Sequence, residues 1–250
     1  MLTLDSVVLR FGGLVAVDQL SLGIAEKSIT ALIGPNGAGK TTAFNLISGV
    51  YSPMAGSIRF QKRDIAGMKP YQVNEIGIAR TYQNIRLFSG MTALENVLVG
   101  RHTRATCGIV QNLLRTSRQR REEQELTEKA HDILEFVGLA PKASELAMNL
   151  PYGEQKRLEI ARALASDPHL LLLDEPVAGM NAREKSDLRN VIVRIRERGK
   201  TIFLVEHDMK IVMGMADTVY VMNYGKCIAV GTPEEVQRNP IVIEAYLGSE

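Results

Sequence analysis

The chain has 250 residues, of which 45% are hydrophobic and 23% charged, and its formal net charge is +2 at neutral pH. This composition excludes a disordered chain, a collagen-like repeat and a disulfide-rich secreted scaffold. So small a net charge gives no reason to expect nucleic acid or an anionic membrane as the main ligand.

The first ninety residues are predicted to combine antiparallel strands with one strand–loop–helix unit. Runs rich in β-branched residues, separated by glycine or charged turns, predict strands at residues 7–11, 20–24 and 29–33. A glycine-rich loop follows the third strand and opens a helix that we expect to end near Ser48. Pro53, Gly56 and the alternating residues 57–60 predict a further small hairpin.

The next stretch, from about Thr92 to Leu164, is predicted to be mostly helical. Thr92 and Glu95 have the spacing of a capping box and begin an apolar-periodic segment. Residues 122–137 and 154–165 also carry helical periodicity. We interpret this block as an α-helical subdomain inserted at about residues 89–165.

Strands and helices alternate again after the insertion. Residues 170–173, 201–205 and 218–222 are predicted strands, and residues 182–198 are a predicted helix. Such alternation indicates a parallel sheet with helices on both faces. The expected class is therefore α/β, in one domain that spans residues 1–250.

Cysteine content and hydropathy limit where the chain acts. Cys107 and Cys227 are too far apart in sequence to form a metal or redox pair by spacing, so we expect buried, reduced thiols. No apolar run reaches the roughly 18 residues of a spanning helix, and the first residues lack a signal-peptide pattern. We expect the chain to stay in a reducing cytosol and to meet a membrane through partners.

The strongest functional motif follows the third predicted strand and fits G-x-x-x-x-G-K-[ST]. Its glycines let successive backbone N–H groups surround phosphates at a helix N-terminus. Lys40 is expected to reach the β- and γ-phosphate oxygens, and the Thr41 hydroxyl to bind Mg²⁺. The motif predicts ATP and Mg²⁺ as ligands. The residues expected to bind ATP here are Gly34, Pro35, Asn36, Gly37, Ala38, Gly39, Lys40, Thr41 and Thr42.

A second motif ends the apolar strand at residues 170–173 with two acids. We expect Asp174 to bind Mg²⁺, directly or through water, and Glu175 to be the general base that polarises the attacking water. The two motifs together predict a P-loop NTPase with a RecA-like core. We place this nucleotide-binding core at about residues 1–88 and 166–250, with an N-terminal antiparallel β subdomain.

A third motif, at residues 150–164, resembles the signature motif of ABC ATPases. In that family the signature turn faces the ATP that the other protomer binds. Pro151 stands where the family usually has serine and Tyr152 where it has its first glycine, so the hydroxyl donor is absent. We expect the N–H groups of Gly153 and Glu154 and the helix dipole to remain available to phosphate. The residues that match the signature turn are Tyr152, Gly153, Glu154 and Gln155.

The resemblance to ABC ATPases extends to further positions. Gln83 resembles the Q-loop glutamine, which contacts Mg²⁺ and water and couples the site to the helical subdomain. His207 resembles the switch histidine at the γ-phosphate, and Phe11 the aromatic residue that stacks on adenine. Residues 177–181 occupy the D-loop position, with Asn181 where aspartate is usual.

Segments at residues 11–17, 80–88, 152–155 and 242–248 together resemble a narrower family, the ATP-binding subunits of bacterial branched-chain amino acid importers. The chain looks like the member of the ATPase pair with the longer helical insert. The resemblance implies ATP hydrolysis that energises import of branched-chain or related amino acids and amides.

The same resemblance implies the partners and the location of the chain. The expected partners are two membrane permeases, a second ATP-binding subunit and, indirectly, a periplasmic or extracellular substrate-binding protein. A heterodimer of ATPases is expected, with a homodimer possible in vitro, at the cytoplasmic face of the inner membrane. No nucleic acid partner is expected.

Other interpretations remain open from the sequence. An ATPase of a lipopolysaccharide-type or other ABC exporter is the nearest alternative. A soluble ABC ATPase of DNA repair or translation usually has long coiled-coil insertions or a second fused domain, and a P-loop kinase does not need the signature turn. Residues 101–121 contain six arginines and no acid, which favours a solvated surface or, alternatively, contact with an anionic membrane or a permease loop.

Overall fold

A computed structural model describes residues 1–101 and 117–247 of the chain. Its strands are β1 (Leu2–Phe11), β2 (Leu14–Ile24), β3 (Ile29–Ile33), β4 (Ala55–Phe60), β5 (Arg63–Asp64), β6 (Ile78–Arg80), β7 (Leu170–Asp174), β8 (Thr201–Val205), β9 (Thr218–Asn223) and β10 (Lys226–Gly231). Its α-helices are α1 (Lys40–Ile47), α2 (Pro70–Glu75), α3 (Ala93–Arg101), α4 (Ser117–Phe136), α5 (Tyr152–Ala165), α6 (Ala182–Glu197), α7 (Met209–Met213), α8 (Pro233–Gln237) and α9 (Pro240–Leu247).

The strands form two sheets. An antiparallel sheet has the order β2-β1-β4-β5, and a larger sheet has the order β10-β9-β3-β8-β7-β6. In the larger sheet β9, β3, β8, β7 and β6 run parallel, and β10 pairs with β9 in the antiparallel direction. The predicted α/β class with an N-terminal antiparallel β subdomain is therefore confirmed.

The larger sheet is buried on both faces because its strands alternate between two cores. In β7, Leu170 and Leu172 pack against the antiparallel sheet and α1, whereas Leu171 and Leu173 pack with the helical insertion and the C-terminal helices. Phe203 and Leu204 of β8 divide in the same way. Side chains of a strand alternate between its faces, so an uninterrupted apolar run is required for a central strand with two covered faces.

The segment interpreted as a helical insertion contains the helices α3, α4 and α5 among its described residues. Thr92 and Glu95 form the expected capping box, in which the Glu95 carboxylate accepts the Thr92 N–H at 2.7 Å and the Thr92 hydroxyl accepts the Glu95 N–H at 3.2 Å. Helices α3, α4 and α5 share one apolar core with the sheet, through buried residues such as Val97, Leu134 and Leu158. The insertion is therefore held against the core by packing.

Some elements were not anticipated. Strand β6 has only three residues and α2 only six, which is too short for either periodicity to be read from the sequence. The thiol of Cys227 is half-buried, where a buried one was expected, because it lies in β10 at the edge of the sheet. Cys107 and most of the arginine-rich stretch lie outside the described residues. In the part of the chain that the structure describes, no helix is long and apolar enough to cross a membrane.

Candidate functional site

The glycine-rich loop between β3 and α1 can be built only with glycine at two of its positions. Gly34 has φ +147°, and a Cβ atom there would lie 2.1 Å from the Met222 carbonyl oxygen. Gly39 has φ +101°, and a Cβ atom there would lie 2.4 Å from the Ala16 carbonyl oxygen. The loop is thus wedged against β9 and β2, and α1 begins directly after it at Lys40. This arrangement directs the N-terminus of α1 into the loop, where it favours an anion.

Lys40 lies inside the loop that it serves. Its ammonium group donates to the carbonyl oxygens of Gly34 at 2.7 Å and Pro35 at 2.8 Å, and the residue is 8% exposed. Burial lowers the pKa of Lys40, and the negative charges of Glu175 and Asp174 oppose that shift. The ammonium group is therefore held in place inside the loop, where it can contact a phosphate that enters the loop.

The loop opens into a cleft of about 440 Å³. Phe11 is 45% exposed and its ring meets that of Tyr51 edge-on at 5.2 Å between centroids. An aromatic ring that lines a cleft beside a phosphate loop is suitably placed to stack on a nucleotide base. The sequence analysis missed Tyr224, which lines the same cleft from the β9–β10 turn. The predicted site residues in the cleft wall are Phe11, Asn36, Gly37, Ala38, Gly39, Lys40, Thr41, Thr42, Gln83 and Glu175.

Asp174 and Glu175 follow β7 directly but have opposite environments. Asp174 is 2% exposed, and its carboxylate accepts a hydrogen bond of 2.8 Å from the Arg80 guanidinium. Arg80 also donates to Asn45 at 2.7 Å and Ser48 at 2.8 Å, so it ties β6, α1 and β7 together. The sequence analysis did not identify Arg80, because its partners lie far away in the chain.

Glu175 turns away from Asp174 because its backbone has φ +46°, the left-handed region that few non-glycine residues adopt. Its carboxylate accepts a hydrogen bond from the Gln83 amide at 3.0 Å. The same oxygen lies 3.7 Å from Nδ1 of His207, whose side chain is 58% exposed. The structure thus brings together the three residues expected to be catalytic, although they come from three separate segments. Strained backbone of this kind concentrates at functional sites.

The residues expected to bind Mg²⁺ offer a donor set that fits this ion. Thr41, Gln83 and Asp174 present hydroxyl, amide and carboxylate oxygens, and Mg²⁺ prefers oxygen ligands with one or two carboxylates, completed by phosphate and water. Among residues 1–101 and 117–247, no group of three or more His, Cys, Asp or Glu side chains could hold a metal ion. Any Mg²⁺ ion here would therefore need the phosphates of the nucleotide as ligands.

The sequence analysis also missed a carboxylate that connects two loops at the site. Glu206 is fully buried, and one of its oxygens accepts the Val177 N–H at 3.2 Å while the other accepts the N–H groups of His207 at 3.1 Å and Asp208 at 3.4 Å. Burial raises the pKa of Glu206, and these three hydrogen bonds oppose the shift. The D-loop and the histidine segment are therefore held by one side chain.

The predicted signature turn differs from expectation in one respect. The Glu154 N–H is not available to a phosphate, because it donates to the Pro151 carbonyl oxygen at 2.9 Å and closes the first turn of α5. The Glu154 carboxylate pairs with Lys142 at 2.7 Å, and the Gln155 amide donates to Leu150 at 2.8 Å. These two side chains stabilise the turn itself.

The other two signature residues pack against neighbouring loops of this chain. Gly153 is buried, and a Cβ atom at this position would lie 2.7 Å from the Glu184 carboxylate. Tyr152 is 45% exposed, and its ring would lie 3.3 Å from a Cβ atom at Gly179 of the D-loop. The signature turn and the D-loop therefore form one continuous surface.

Asn181 caps helix α6. Its side-chain oxygen accepts the N–H groups of Arg183 and Glu184, each at 3.0 Å, and the Glu184 carboxylate accepts the Asn181 N–H at 2.9 Å. Asparagine and aspartate are about equally good at this position of a helix. The local geometry thus accepts asparagine in place of the usual aspartate.

Comparisons with known proteins show the family to which this chain belongs. Residues 17–178 match the family described as ABC transporter, and residues 226–250 match one described as branched-chain amino acid ATP-binding cassette transporter. The chain is 46% identical, over 99% of its own length and 98% of the relative's, to the high-affinity branched-chain amino acid transport ATP-binding protein LivG of Salmonella typhimurium. It is 45% identical, over 99% of its length and 98% of the relative's, to the equivalent protein BraF of Pseudomonas aeruginosa.

Solved structures of ATP-binding cassettes share the fold of this chain along its whole length. The ADP conformation of MJ1267, an ATP-binding cassette of an ABC transporter, superimposes with a TM-score of 0.87 at 33% identity, covering 100% of this chain and 99% of that one. A nucleotide-free ATP-binding cassette from an ABC transporter gives a TM-score of 0.87 at 32% identity, covering 100% and 99%. The chain therefore belongs to the ATP-binding subunits of the ABC transporter family.

Proposed function

We propose that this chain is the subunit whose ATP hydrolysis energises import of branched-chain amino acids, or of related amino acids and amides. The observation that carries the proposal is the convergence of Glu175, Gln83 and His207 beside the phosphate loop. The substrate class rests on the similarity to LivG and BraF and on the match of the C-terminal residues 226–250.

The chemistry follows from where each side chain lies. The loop N–H groups and Lys40 bind the phosphates, and Phe11 receives the base. Glu175 is the general base: it accepts a proton from the attacking water, which Gln83 helps to orient. His207, whose Nδ1 lies 3.7 Å from the Glu175 carboxylate, would contact the terminal phosphate. Thr41, Gln83 and Asp174 would hold Mg²⁺, which supplies charge neutralisation on the phosphate oxygens.

A membrane partner has a suitable surface where the segment that follows Gln83 along the chain meets residues 146–148. Four exposed apolar side chains lie where the main chain of residues 88–92 runs beside that of residues 146–148, linked by the Ala147 N–H to the Met91 carbonyl at 2.9 Å. Exposed apolar patches of this kind mark interaction sites. We call these residues the apolar patch, and we assign it to the permease. They are Phe88, Met91, Leu146 and Met148.

The remaining partners complete the assembly. The signature turn at the N-terminus of α5 is expected to face ATP bound by a second ATP-binding subunit, in a heterodimer whose homodimeric form is accessible in vitro. Two permeases would anchor the pair at the cytoplasmic face of the inner membrane, and a substrate-binding protein outside would deliver the cargo. The helical insertion at about residues 89–165 would then move as a unit against the nucleotide-binding core.

The test is affinity purification of the tagged full chain from detergent-solubilised native membranes. We expect to recover two permeases and a second ATP-binding subunit. The substitution Met148→Asp, in the apolar patch, should reduce recovery of the permeases. Met54→Asp is the matched control, since Met54 is similarly exposed, at 67% against 62%, but lies outside the patch. Recovery of no membrane protein by the unsubstituted chain would refute the transport proposal.

A further inference from the structure

The segment that carries Gln83 has little secondary structure of its own. Residues 81–89 form neither helix nor strand, so the polar groups of their main chain need partners elsewhere. Asn96 of α3, which is fully buried, supplies two of these contacts: it accepts the Phe88 N–H at 2.9 Å and donates to the Phe88 carbonyl at 3.1 Å. This fixes the far end of the segment, but not Gln83.

Two ionisable side chains of α5 hold the part of the segment around Gln83. The Lys156 ammonium donates to the Gln83 carbonyl at 2.7 Å and to the Tyr82 carbonyl at 3.4 Å. One oxygen of Glu159 accepts the N–H groups of Tyr82 at 3.3 Å and Arg86 at 3.4 Å. The main chain is therefore gripped before and after Gln83, from one turn of one helix.

Both side chains are ionisable, yet both are almost fully buried. Lys156 is 2% exposed and Glu159 is 1% exposed. Burial lowers the pKa of Lys156 and raises the pKa of Glu159, and the attraction between the two charges opposes both shifts. The second oxygen of Glu159 is buried with no hydrogen-bond partner among the described residues. Buried charges seldom add stability over apolar residues of similar volume, so the pair is better explained by what it positions.

The N-terminal half of α5 combines two features. Its N-terminus carries the signature turn, and Lys156 and Glu159 follow within the next two turns. Gln83, held by these residues, donates to Glu175 at 3.0 Å. We propose that Lys156 and Glu159 are positioning residues that fix the main chain on both sides of Gln83 to the signature helix, so that the placement of this helix sets how Gln83 meets Glu175.

This inference deepens the proposed function, because it depends on the role of Gln83 in hydrolysis. Its consequence is that the helix expected to contact one ATP also adjusts the catalytic residues of the other, within a single chain. A displacement of α5 in response to nucleotide in the partner would be passed directly to Gln83. A helix moves as a rigid element, so no further mechanical part is needed.

The test is a double-mutant cycle on kcat and KM for ATP hydrolysis by the full chain. Lys156→Met keeps the length of the side chain and removes its donors. We expect kcat to fall by about 10–100-fold, the range for misplaced catalytic groups, with KM changed by no more than about twofold. Lys200→Met, which breaks the surface ion pair of 2.6 Å with Asp167, is the control and should leave kcat unchanged.

The double variant decides whether Lys156 acts through Gln83. If it does, Lys156→Met combined with Gln83→Ala should have the kcat of Gln83→Ala alone. Effects that multiply would overturn the inference and leave the function of Gln83 intact. An unchanged kcat in Gln83→Ala would instead refute the proposed catalytic role of Gln83, and the inference with it.

Glu159 provides an independent test if Lys156→Met fails to fold. Glu159→Gln retains a carbonyl oxygen that can accept from Tyr82 and Arg86, whereas Glu159→Met fills the same space without an acceptor. We expect the Gln variant to keep a kcat at least about tenfold above that of the Met variant. Equal values of kcat in the two variants would show that Glu159 only fills space, and would overturn the inference.

Discussion

The phosphate loop and the two segments that carry Gln83 and His207, which we propose to serve the same nucleotide, are constructed in different ways. The loop is a run of consecutive residues whose shape comes from its own backbone, with Gly34 and Gly39 in conformations that exclude a side chain. The segment of Gln83 is instead held by Glu159 of α5, and the buried Glu206, which directly precedes His207, links the histidine segment to Val177 of the D-loop.

This difference has a functional meaning. A loop whose backbone conformation is fixed in this way is preorganised for an anion, and its shape does not depend on side chains of the helical insertion. Segments fixed by side chains of neighbouring elements move when those elements move, so they can report on the rest of the assembly. Binding of ATP and timing of its hydrolysis are thus assigned to different kinds of structure.

Substitution of Glu175 should show most strongly that ATP hydrolysis and ATP binding depend on different regions. Glu175→Gln removes the general base but keeps a side chain of the same shape, so we expect turnover to fall by roughly 10²–10⁴-fold, or about 3–5 kcal/mol of barrier, with ATP affinity retained. Lys40→Ala is the converse variant, because it removes a phosphate contact and should weaken ATP binding itself. ATP titrations and steady-state kinetics of both variants would check this. A Glu175→Gln variant with near-normal turnover would exclude Glu175 as the base.

Arg80 connects the two regions, and its removal should have the largest effect on stability. Arg80→Met leaves the buried Asp174 carboxylate without its 2.8 Å partner, and breaking a buried pair in this way costs about 3–5 kcal/mol. Arg196→Met breaks the more exposed pair with Asp217, at 3.2 Å, and should cost less than about 1 kcal/mol. Urea unfolding measures both values. Equal losses of unfolding free energy in the two variants would mean that the buried ion pair stabilises the fold no more than the exposed pair does.

The contrast also explains which features the sequence could predict. The phosphate loop, the apolar β7 and the Thr92–Glu95 capping box are patterns within a few consecutive residues, so each could be read directly. Arg80 acts through partners that are distant in the chain, and Glu206 links His207 to Val177, which lies 29 residues away from Glu206, so no spacing rule reveals these contacts. Availability of the Glu154 N–H was predicted wrongly, because whether an N–H is free depends on where a helix begins, and boundaries of helices are the least certain part of a sequence-based prediction.

Stability as a function of pH can show how Glu206 is held. Burial raises the pKa of this carboxyl group in the folded chain, so between its ordinary pKa and the raised value the native state binds more protons than the unfolded chain. The contribution of Glu206 to stability is therefore full at low pH and is lost as pH rises through the folded pKa. Relative to Glu206→Gln, which does not titrate, the wild-type chain should lose stability over this interval.

Glu95 provides a control with the opposite sign. Hydrogen bonds from the backbone and side chain of Thr92 lower the pKa of Glu95, so its contribution is present above its ordinary pKa and is lost as pH falls. Relative to Glu95→Gln, the wild-type chain should therefore gain stability as pH rises. Urea unfolding from about pH 3 to about pH 8 would measure both differences. A pH-independent difference for Glu206→Gln would show that the carboxyl group is not perturbed by burial.

The D-loop connects Glu206 to helix α6, and a change in it should give the smallest effect. Its start, Val177, is bound by Glu206, and its end, Asn181, caps α6. Asn181→Ala removes the cap and should cost about 1 kcal/mol of unfolding free energy. Asn181→Asp keeps the acceptor and adds a negative charge at the positive end of the helix, so it should match or exceed the wild-type stability by about 0.3–1 kcal/mol. If Asn181→Asp were as unstable as Asn181→Ala, the side chain would have to act through a contact other than the cap. If the prediction holds, asparagine and aspartate at position 181 support the stability of α6 about equally. Any effect of Asn181→Asp on ATP hydrolysis must then come from the surface that the D-loop shares with the signature turn.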